Sequence, residues 1–599
     1  MRLSDYVLRF VANLGVKHIF LVPGGGAMHL NDALSHCPAI QPICNLHEQA
    51  SAIAAENYSK ATKHLGVCMV TTGPGATNAI TGLAGAWLDS IPCLFLSGQV
   101  KRGDRMVSPE GVHSGVRQMG VQEVDIVSIV KPLTKYAVTV DQPESIRYHL
   151  EKAIYLAQSG RPGPVWIDIP LDVQAIQIDE ISLPGFSQPM NAATPPDLSI
   201  VIDALNRSQR PIILAGNGIR LAHAEAEFSE LLEVLQVPVE TTWLAIDVVP
   251  STHPLFVGRP GSLASRGSNF AIQNSDFLLS IGSRLDRVMT GYAPDRFARA
   301  AEKVMVDIDP AELAKMGDSI QHKICCDAGV FIRAFLARRS EIKQLDRSSW
   351  LARCAQWKTC YPVVTEEHRK TSGRVSVYYF SEVLSSELQE NDYIVSGSSG
   401  SAIELFLFAL EVKSGQRVFH TTALGAMGFG IAASIGACLA GGRRNVVCVD
   451  GDGGFQFNIQ ELETVRRLNL PIKFFVLNNE GYASIRISQT AFFGEPRIGC
   501  DAKTGQTLPD VRKVAEAYGI PAAIIRGQSD LRADIRRVLD LPGPVVCDVL
   551  VIPEEVRAPR LASVQRPDGS FVSKPLEDLA PFLDRAEFLD NMIIPPLPE

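Results

Sequence analysis

Short apolar runs rich in Val, Ile and Phe recur along the chain between stretches of helical periodicity. They are "HIFLV", "GVCMVTT", "CLFLSG" and "PVWIDI" in the first third, "PIILAG", "FLLSIG" and "KVMVDID" in the middle, and "YIVSG", "NVVCVD", "IKFFVLNN" and "PVVCDVLV" in the last. Apolar runs that do not alternate with polar residues read as strands covered on both faces, and strands alternating with helices build parallel sheets. The pattern predicts an α/β protein made of three doubly wound parallel-sheet domains.

Composition places the boundaries. "SLPGFSQPMNAATPPDLS" (182–199) is a Pro-rich linker, and the polar "RRSEIKQLDRSSW" (338–350) introduces a third unit. The expected domains are 1–180, 181–345 and 346–560, followed by a Pro-rich tail, 561–599, that shows no strand pattern and is expected to pack over another part of the chain. A length of 599 residues suits three or four domains of roughly 150 residues each. "RPGPVWIDIP" and "LPGPVVCDVL" are the same turn feeding the same kind of strand, late in the first and third units. Two related domains around a different middle one are expected.

A net charge of -8 leaves no basic footprint for nucleic acid or an anionic membrane. No apolar run reaches the ~18 residues of a membrane span, and "MRLSDYVLRFVANLGV" reads as an amphipathic helix rather than a signal peptide. The twelve cysteines are scattered, with no C-x-x-C pair, and read as reduced thiols in a cytoplasmic protein.

The densest chemistry lies in "VVCVDGDGGFQFNIQELETVRRLNLPIKFFVLNN". It reads as a strand, a Gly-rich loop, a helix carrying Ile459, Leu462, Val465 and Leu468, and a second strand ending in Asn-Asn. Such a βαβ unit sets Asp452 and Asn479 at the carboxyl ends of neighbouring strands, where open α/β sheets bind ligands. A carboxylate and an amide oxygen are poor zinc ligands and good Mg²⁺ ligands, and Mg²⁺ completes its octahedron with water and phosphate oxygens. Gly453 and Gly454 let backbone N–H groups approach an anion at the helix start. The combination specifies a Mg²⁺-bound diphosphate.

This unit resembles the GDG-to-NN motif of thiamine diphosphate enzymes, and the resemblance to the acetolactate synthase-like group extends over nearly the whole chain. "FLVPGGGAMHLNDAL", "HEQASAIAAENY", "TTGPGATNAITGLAGAWLDSIPCLFLSGQV" and "SGRPGPVWIDIPLDVQ" are similar to that family's pyrimidine-binding domain, and "TTALGAMGFGIAASIGA" to its diphosphate-binding domain. The resemblance implies Mg²⁺ held by Asp452, Asn479 and the Gly481 carbonyl. It implies catalytic positions at Glu48, Gln122 and Gly25, and thiamine diphosphate contacts at Thr72, Asn78, Gly425, Met427, Gly451, Gly453 and Gly454. Met427 would bend the cofactor, and Gly425 would accept from its aminopyrimidine. Glu48 would share a proton with the pyrimidine ring nitrogen, which favours the imino form that can deprotonate the thiazolium C2. The small residues Ser51, Ala52, Ala54 and Ala55 would let its helix lie close to the thiamine ring. The middle domain resembles a FAD-binding domain, with Gly216, Gly218, Gly258, Gly261, Arg284, Asp307 and Asp327 as carried-over positions and no redox role indicated for the flavin. The resemblance further implies a homodimer or homotetramer with pyruvate and a carbonyl acceptor as substrates.

Two departures bear on the acceptor. Where acetolactate synthases carry Phe-Gln-Glu, this chain has Val121, Gln122 and Glu123, and Ser488 stands at the place of a tryptophan that recognises the second 2-oxo acid. Losing two large aromatic side chains predicts a wider, more polar acceptor pocket. With "GYASIR", "RQMGVQE" and "SKPLEDLAPFL", it moves the resemblance toward YerE-type carboligases, which transfer an acetyl unit to the ketone of a 4-keto-deoxy sugar nucleotide. Arg486, Lys101, Arg102 and Arg105 are candidate contacts for acceptor phosphates. Acetolactate synthesis, simple decarboxylation or flavin-linked oxidation, and a non-catalytic paralogue are the other readings. Intact Glu48, Asp452 and Asn479 speak against the last.

Overall fold

The computed structural model describes residues 1–109, 111–189, 196–398, 400–565, 568–569 and 571–597. Three six-stranded parallel sheets carry the chain. The first contains β1 (His18–Leu21), β2 (Gln41–Cys44), β3 (Gly66–Val70), β4 (Cys93–Gln99), β5 (Tyr136–Thr139) and β6 (Val165–Pro170), ordered 2-1-3-4-6-5. The second contains β7 (Pro211–Ala215), β8 (Val239–Thr241), β9 (Phe256–Gly258), β10 (Phe277–Ile281), β11 (Glu302–Asp307) and β12 (His322–Cys325), ordered 12-11-10-7-8-9. The third contains β13 (Tyr393–Ser396), β14 (Arg417–Phe419), β15 (Val446–Gly451), β16 (Ile472–Asn478), β17 (Ala522–Ile525) and β18 (Val545–Leu550), ordered 14-13-15-16-18-17.

Strand for strand, the first and third orders are the same, and the two Pro-Gly turns lead into the equivalent strands β6 and β18. The middle order is that of dinucleotide-binding folds, reversing direction between β7 and β10. The expected α/β class holds, as does the pairing of like domains around an unlike one.

The first and third units share one apolar core. Helix Glu48–Thr62 packs across helix Phe429–Ala440, and Phe20, Ile53 and Phe95 join Ile435, Phe455 and Val476 in a single buried cluster. The crossing depends on absent side chains. A Cβ on Gly436 would stand 2.1 Å from the Ala54 carbonyl oxygen, and one on Gly82 would stand 2.5 Å from the Ala52 Cβ. Ala52 and Ala54 therefore face neighbouring helices, which corrects the expectation that this small-residue face lines a cofactor.

Ion pairs lock the three units where they meet. Lys60 Nζ lies 2.6 Å from Glu56 and 2.8 Å from Asp89, and donates to the His420 carbonyl (3.3 Å). Arg417 donates to the Lys60 carbonyl (2.9 Å) and to Asp247 of the middle unit (3.1 Å), and Arg220 pairs with the other oxygen of Asp247 (2.7 Å). Removing one partner from such buried sets leaves an uncompensated charge, so the set holds together or fails together.

Helix Ser348–Cys360 follows the polar stretch that suggests a boundary, yet it packs on the middle unit, where the Trp350 indole donates to the Pro211 carbonyl (2.9 Å). The tail covers the same surface. Leu576 and Leu579 are buried, Asn269 Nδ2 donates to the Leu576 carbonyl (2.7 Å), and the Trp357 indole donates to Asn591 (2.7 Å). It also forms a hairpin, Ser563–Gln565 against Phe571–Ser573, in a stretch without a strand pattern, because three-residue strands are too short to show a period. All twelve cysteines are free and seven are buried. Among the described residues, no helix is long and apolar enough to cross a membrane.

Gly436→Ala forces the two crossing backbones apart and should cost about 1–3 kcal/mol, the usual penalty of overpacking. A lower unfolding midpoint in denaturant is expected; an unchanged one would mean the helices do not touch there. Glu240 in β8 is wholly buried, neither carboxylate oxygen has a hydrogen-bond partner among the described residues, and burial holds its carboxyl well above the ordinary range. Its contribution to stability is complete below the unfolded carboxyl value of about 4.3 and is lost as pH rises through the higher folded value. Relative to wild type, Glu240→Met should therefore gain several degrees of Tm progressively as pH rises above the unfolded carboxyl value of about 4.3. A pH-independent difference would refute this.

Candidate active site

β15 ends at Gly451 opposite Leu477 of β16, so Asp452 and Asn479 leave the third sheet side by side at its carboxyl edge. Asp452 is buried, its Oδ1 accepting from the Gly453 N–H (2.9 Å) and its Oδ2 from the Gly481 N–H (3.0 Å). Asn479 Nδ2 donates to the Ser401 hydroxyl (3.1 Å), and its buried Oδ1 has no hydrogen-bond partner among the described residues. Burial pushes the Asp452 carboxyl up to about 7, a cost that a bound cation relieves. A carboxylate short of counter-charge beside an unpartnered amide oxygen fits Mg²⁺. The three glycines of the loop differ. A Cβ on Gly453 would stand 2.2 Å from the Tyr482 ring and one on Gly454 would stand 2.9 Å from Asp450, whereas Gly451 faces open space.

The segment after the loop is not the single helix its apolar pattern suggests. Helix Asp452–Phe455 gives way to a 3₁₀ stretch, Gln456–Glu461, kinked at Asn458 (φ -140°, ψ 32°), and then to helix Leu462–Arg467.

Helix Glu48–Thr62 begins at Glu48, with His47 as N-cap and its Nδ1 accepting from the Gln49 N–H (3.1 Å). That cap gives His47 a structural role. Glu48 is half-buried, and its Oε2 accepts from Asn78 Nδ2 (3.0 Å). Asn78, expected as a cofactor contact, thus orients the acid. Gln49 Nε2 approaches the Met427 carbonyl (3.4 Å), and the Gly428 N–H donates to the Gly454 carbonyl (3.1 Å). The Met427 loop is thereby tied to the Glu48 helix and to the GDGG loop, turning through Gly425 (φ 68°) and Gly428 (φ 84°).

Thr72 is buried and spends its hydroxyl on the Gly98 carbonyl (3.0 Å), while a Cβ on Gly26 would stand 1.9 Å from that same hydroxyl. Its work is to shape the Gly24–Gly26 turn, which leaves Gly25 exposed. Gln122 is exposed with φ 64°, and its carbonyl abuts Gly73. The neighbouring Glu123, which sequence reasoning passed over, is buried and accepts from the N–H groups of Met119 (3.0 Å) and Gly120 (3.2 Å), fixing the loop.

In the middle unit a cavity of about 980 Å³ is lined by Gly218, Arg284, Asp307 and Asp327 and extends to Gly425 and Glu404 of the third unit. Gly216 closes the turn behind it, where a Cβ would stand 2.1 Å from the Gly282 carbonyl oxygen. Gly258 (φ 156°) and Gly261 (φ 133°) lie in the adjoining segment, and the Gly261 N–H donates to Asn269 (2.9 Å). Volume, glycine turn and a carboxylate at the end of β11 fit a dinucleotide.

Three of the four cations considered for acceptor phosphates are already committed. Arg486 is buried against Glu554 (2.8 Å) and the Asn479 carbonyl (3.0 Å), Arg102 pairs with Asp172 (2.8 Å), and Arg105 pairs with Asp141. Their charges serve the fold, and Lys101 alone of the four is exposed. Ser488 is exposed on helix Ala483–Phe493, and Val121 is 85% exposed.

Comparison with known proteins agrees with this arrangement. The chain matches the N-terminal TPP binding domain of thiamine pyrophosphate enzymes over residues 1–129, their central domain over 198–335 and their C-terminal TPP binding domain over 398–549. It is 32% identical over 578 residues to acetolactate synthase 2, chloroplastic, of Nicotiana tabacum, covering 94% of this chain and 83% of that one. It is 33% identical to acetolactate synthase 1, chloroplastic, of Oryza sativa subsp. japonica (94% and 86% covered), and 31% identical to the acetolactate synthase large subunit of Cyanidium caldarium (91% and 92% covered). With all three domains matched in order, the chain belongs to the thiamine pyrophosphate enzymes and is a thiamine diphosphate-dependent enzyme that forms carbon–carbon bonds.

Proposed function

We propose that this enzyme decarboxylates pyruvate and transfers the two-carbon acetyl unit to a ketone or aldehyde bulkier than a 2-oxo acid, with a 4-keto-deoxy sugar nucleotide as the specific acceptor to test. The observation that carries the reading is the exposure of two small side chains. By the resemblance, Ser488 and Val121 would take the places of large aromatic side chains in acetolactate synthases, and both are exposed rather than packed. Acetolactate synthesis from two 2-oxo acids is the second reading, favoured by the 31–33% identity to proteins of that name over more than nine-tenths of the chain.

The residues divide the work. Asp452, Asn479 and the Gly481 carbonyl would hold Mg²⁺ and so anchor a diphosphate at the sheet edge. Thiamine diphosphate, when bound, supplies the carbon nucleophile and the electron sink that make loss of CO₂ feasible. Glu48, oriented by Asn78, would hold a proton at the pyrimidine ring nitrogen. Met427, raised between two left-handed glycines, would set the bend of the bound cofactor. Gln122 would orient the acceptor. FAD would fill the cavity between Asp307 and Gly425 without taking part in electron transfer. The active unit would be a homodimer or homotetramer.

Two outcomes test this. Incubated with pyruvate, Mg²⁺, thiamine diphosphate and a panel containing cyclic ketones, a keto-sugar nucleotide and 2-oxobutyrate, the enzyme should give tertiary alcohols from the ketones, identified by mass spectrometry and NMR. Products derived only from 2-oxo acids would replace this reading with the second. Glu48→Gln should slow deuterium exchange at C2 of the bound cofactor by orders of magnitude while the affinity for Mg²⁺ and diphosphate changes little. Unchanged exchange would mean that Glu48 holds no proton for the cofactor.

A further inference from the structure

The kinked stretch Gln456–Glu461 follows the GDGG loop through the short helix Asp452–Phe455, and its last residue reaches across to the first unit. Glu461 is fully buried, with four hydrogen-bond donors on its carboxylate. Oε1 accepts from the backbone N–H groups of Leu46 (2.8 Å) and His47 (3.0 Å), and Oε2 accepts from Asn45 Nδ2 (2.9 Å) and the Thr464 hydroxyl (2.7 Å). Three of the four donors belong to the turn immediately before Glu48, more than 400 residues away in sequence: 416 from Asn45, 415 from Leu46 and 414 from His47.

The turn has few other anchors. Asn45 is tied back to β1 through its N–H on the Leu21 carbonyl (2.9 Å), and its Oδ1 accepts from Ser51 (3.3 Å). Among the described residues, the N–H groups of Leu46 and His47 have no hydrogen-bond partner in their own domain, because they precede the first hydrogen-bonded turn of the helix. A buried carboxylate receiving several N–H bonds is held at one place, and it holds its donors in return. Earlier in the same stretch, Asn458 Nδ2 donates to the Gly428 carbonyl (2.9 Å), beside Met427. One 3₁₀ segment therefore grips both the entrance to the Glu48 helix and the Met427 loop.

We propose that Glu461 is a positioning residue for the reaction. It sets the place of Glu48 through the Asn45–His47 turn and links that acid to the loop of Asp452 within one chain. The proposal rests on Glu48 holding the proton at the pyrimidine nitrogen. Glu461→Gln replaces one acceptor oxygen by an NH₂ group that faces donors, and Glu461→Asp falls one methylene short of the two backbone amides. Neither change touches Asp452, Asn479 or Gly481.

The experiment compares Glu461→Gln, Glu461→Asp, Glu48→Gln and the double variant Glu48→Gln/Glu461→Gln by C2 deuterium exchange of bound thiamine diphosphate. Cofactor affinity is followed by fluorescence quenching, and backbone hydrogen exchange of the cofactor-free protein is followed by mass spectrometry. Glu461→Gln should slow C2 exchange by about 10–100-fold, the usual effect of losing an outer partner of a functional side chain. Cofactor affinity should change by less than about threefold, far below that effect. The double variant should be no slower than Glu48→Gln, because Glu461 acts through Glu48. Amide exchange should rise in the peptide spanning residues 45–49 with the bound cofactor absent. If Glu461→Gln proves unstable, Glu461→Asp is read in the same way. Wild-type C2 exchange in the Glu461 variants, with Glu48→Gln slow, overturns the positioning role alone. Wild-type exchange in Glu48→Gln overturns the role of Glu48 and this proposal with it. A loss of affinity equal to the loss of exchange also overturns it, since that is what a general loosening of the third domain would give.

Discussion

Backbone-to-backbone contact between helix Glu48–Thr62 and helix Phe429–Ala440 is the constraint on which the rest of this molecule depends. Gly436 allows the second helix to lie against the Ala54 carbonyl, and a single methyl group there would have to displace main chain. Because the contact is between main chains, neither helix can slide or rotate without loss, and the two sheets behind them are fixed in turn. Two sheets with the same strand order thus meet through one helix each. Glu48 stands at the start of the first of these helices, and the Met427 loop leads into the second.

The ion pairs around Lys60, Arg417 and Asp247 do for the middle unit what that contact does for the other two. Their partners come from all three units, and they are largely withdrawn from water, where screening by salt is weak. The cavity that reaches from Asp307 to Gly425 exists only while the units keep this relation, since its two ends belong to different sheets. The tail, anchored on Asn269 and Trp357, adds cover to the middle unit rather than to the site.

Much of this was legible in the sequence, for reasons that differ by residue. Unbroken apolar runs gave the strands, and the twin Pro-Gly turns before β6 and β18 gave the kinship of the outer units, because each feature is local in the chain. Asp452 and Asn479 could be paired because a βαβ crossover fixes where strand ends fall. Residues whose partners lie in other units were not legible. The alanines after Glu48 read as a cofactor wall, whereas the Ala54 carbonyl lies against Gly436, nearly 400 residues further on, and Ala52 lies against Gly82. Arg102, Arg105 and Arg486 looked free because nothing near them in sequence marks Asp172, Asp141 or Glu554 as their partners. Thr72 and Asn78 stood in a motif, and only the fold shows that one hydroxyl is spent on Gly98 and one amide on Glu48.

The crossing of the two helices also governs how the chain is made. Gln49 and Met427 are 378 residues apart, so the first sheet leaves the ribosome long before the helix that covers it. Closing so long a loop costs little free energy beyond a loop of half the size, but it delays the largest core until the third unit has emerged. Through that interval the Glu48 helix must carry an uncovered face. Its composition suits the wait: at Ala54, whose carbonyl later meets Gly436, there is little apolar area to attract another chain, and the same smallness admits Phe429–Ala440 at backbone distance. A leucine-rich face would bury more area in the finished protein and would be far stickier during synthesis.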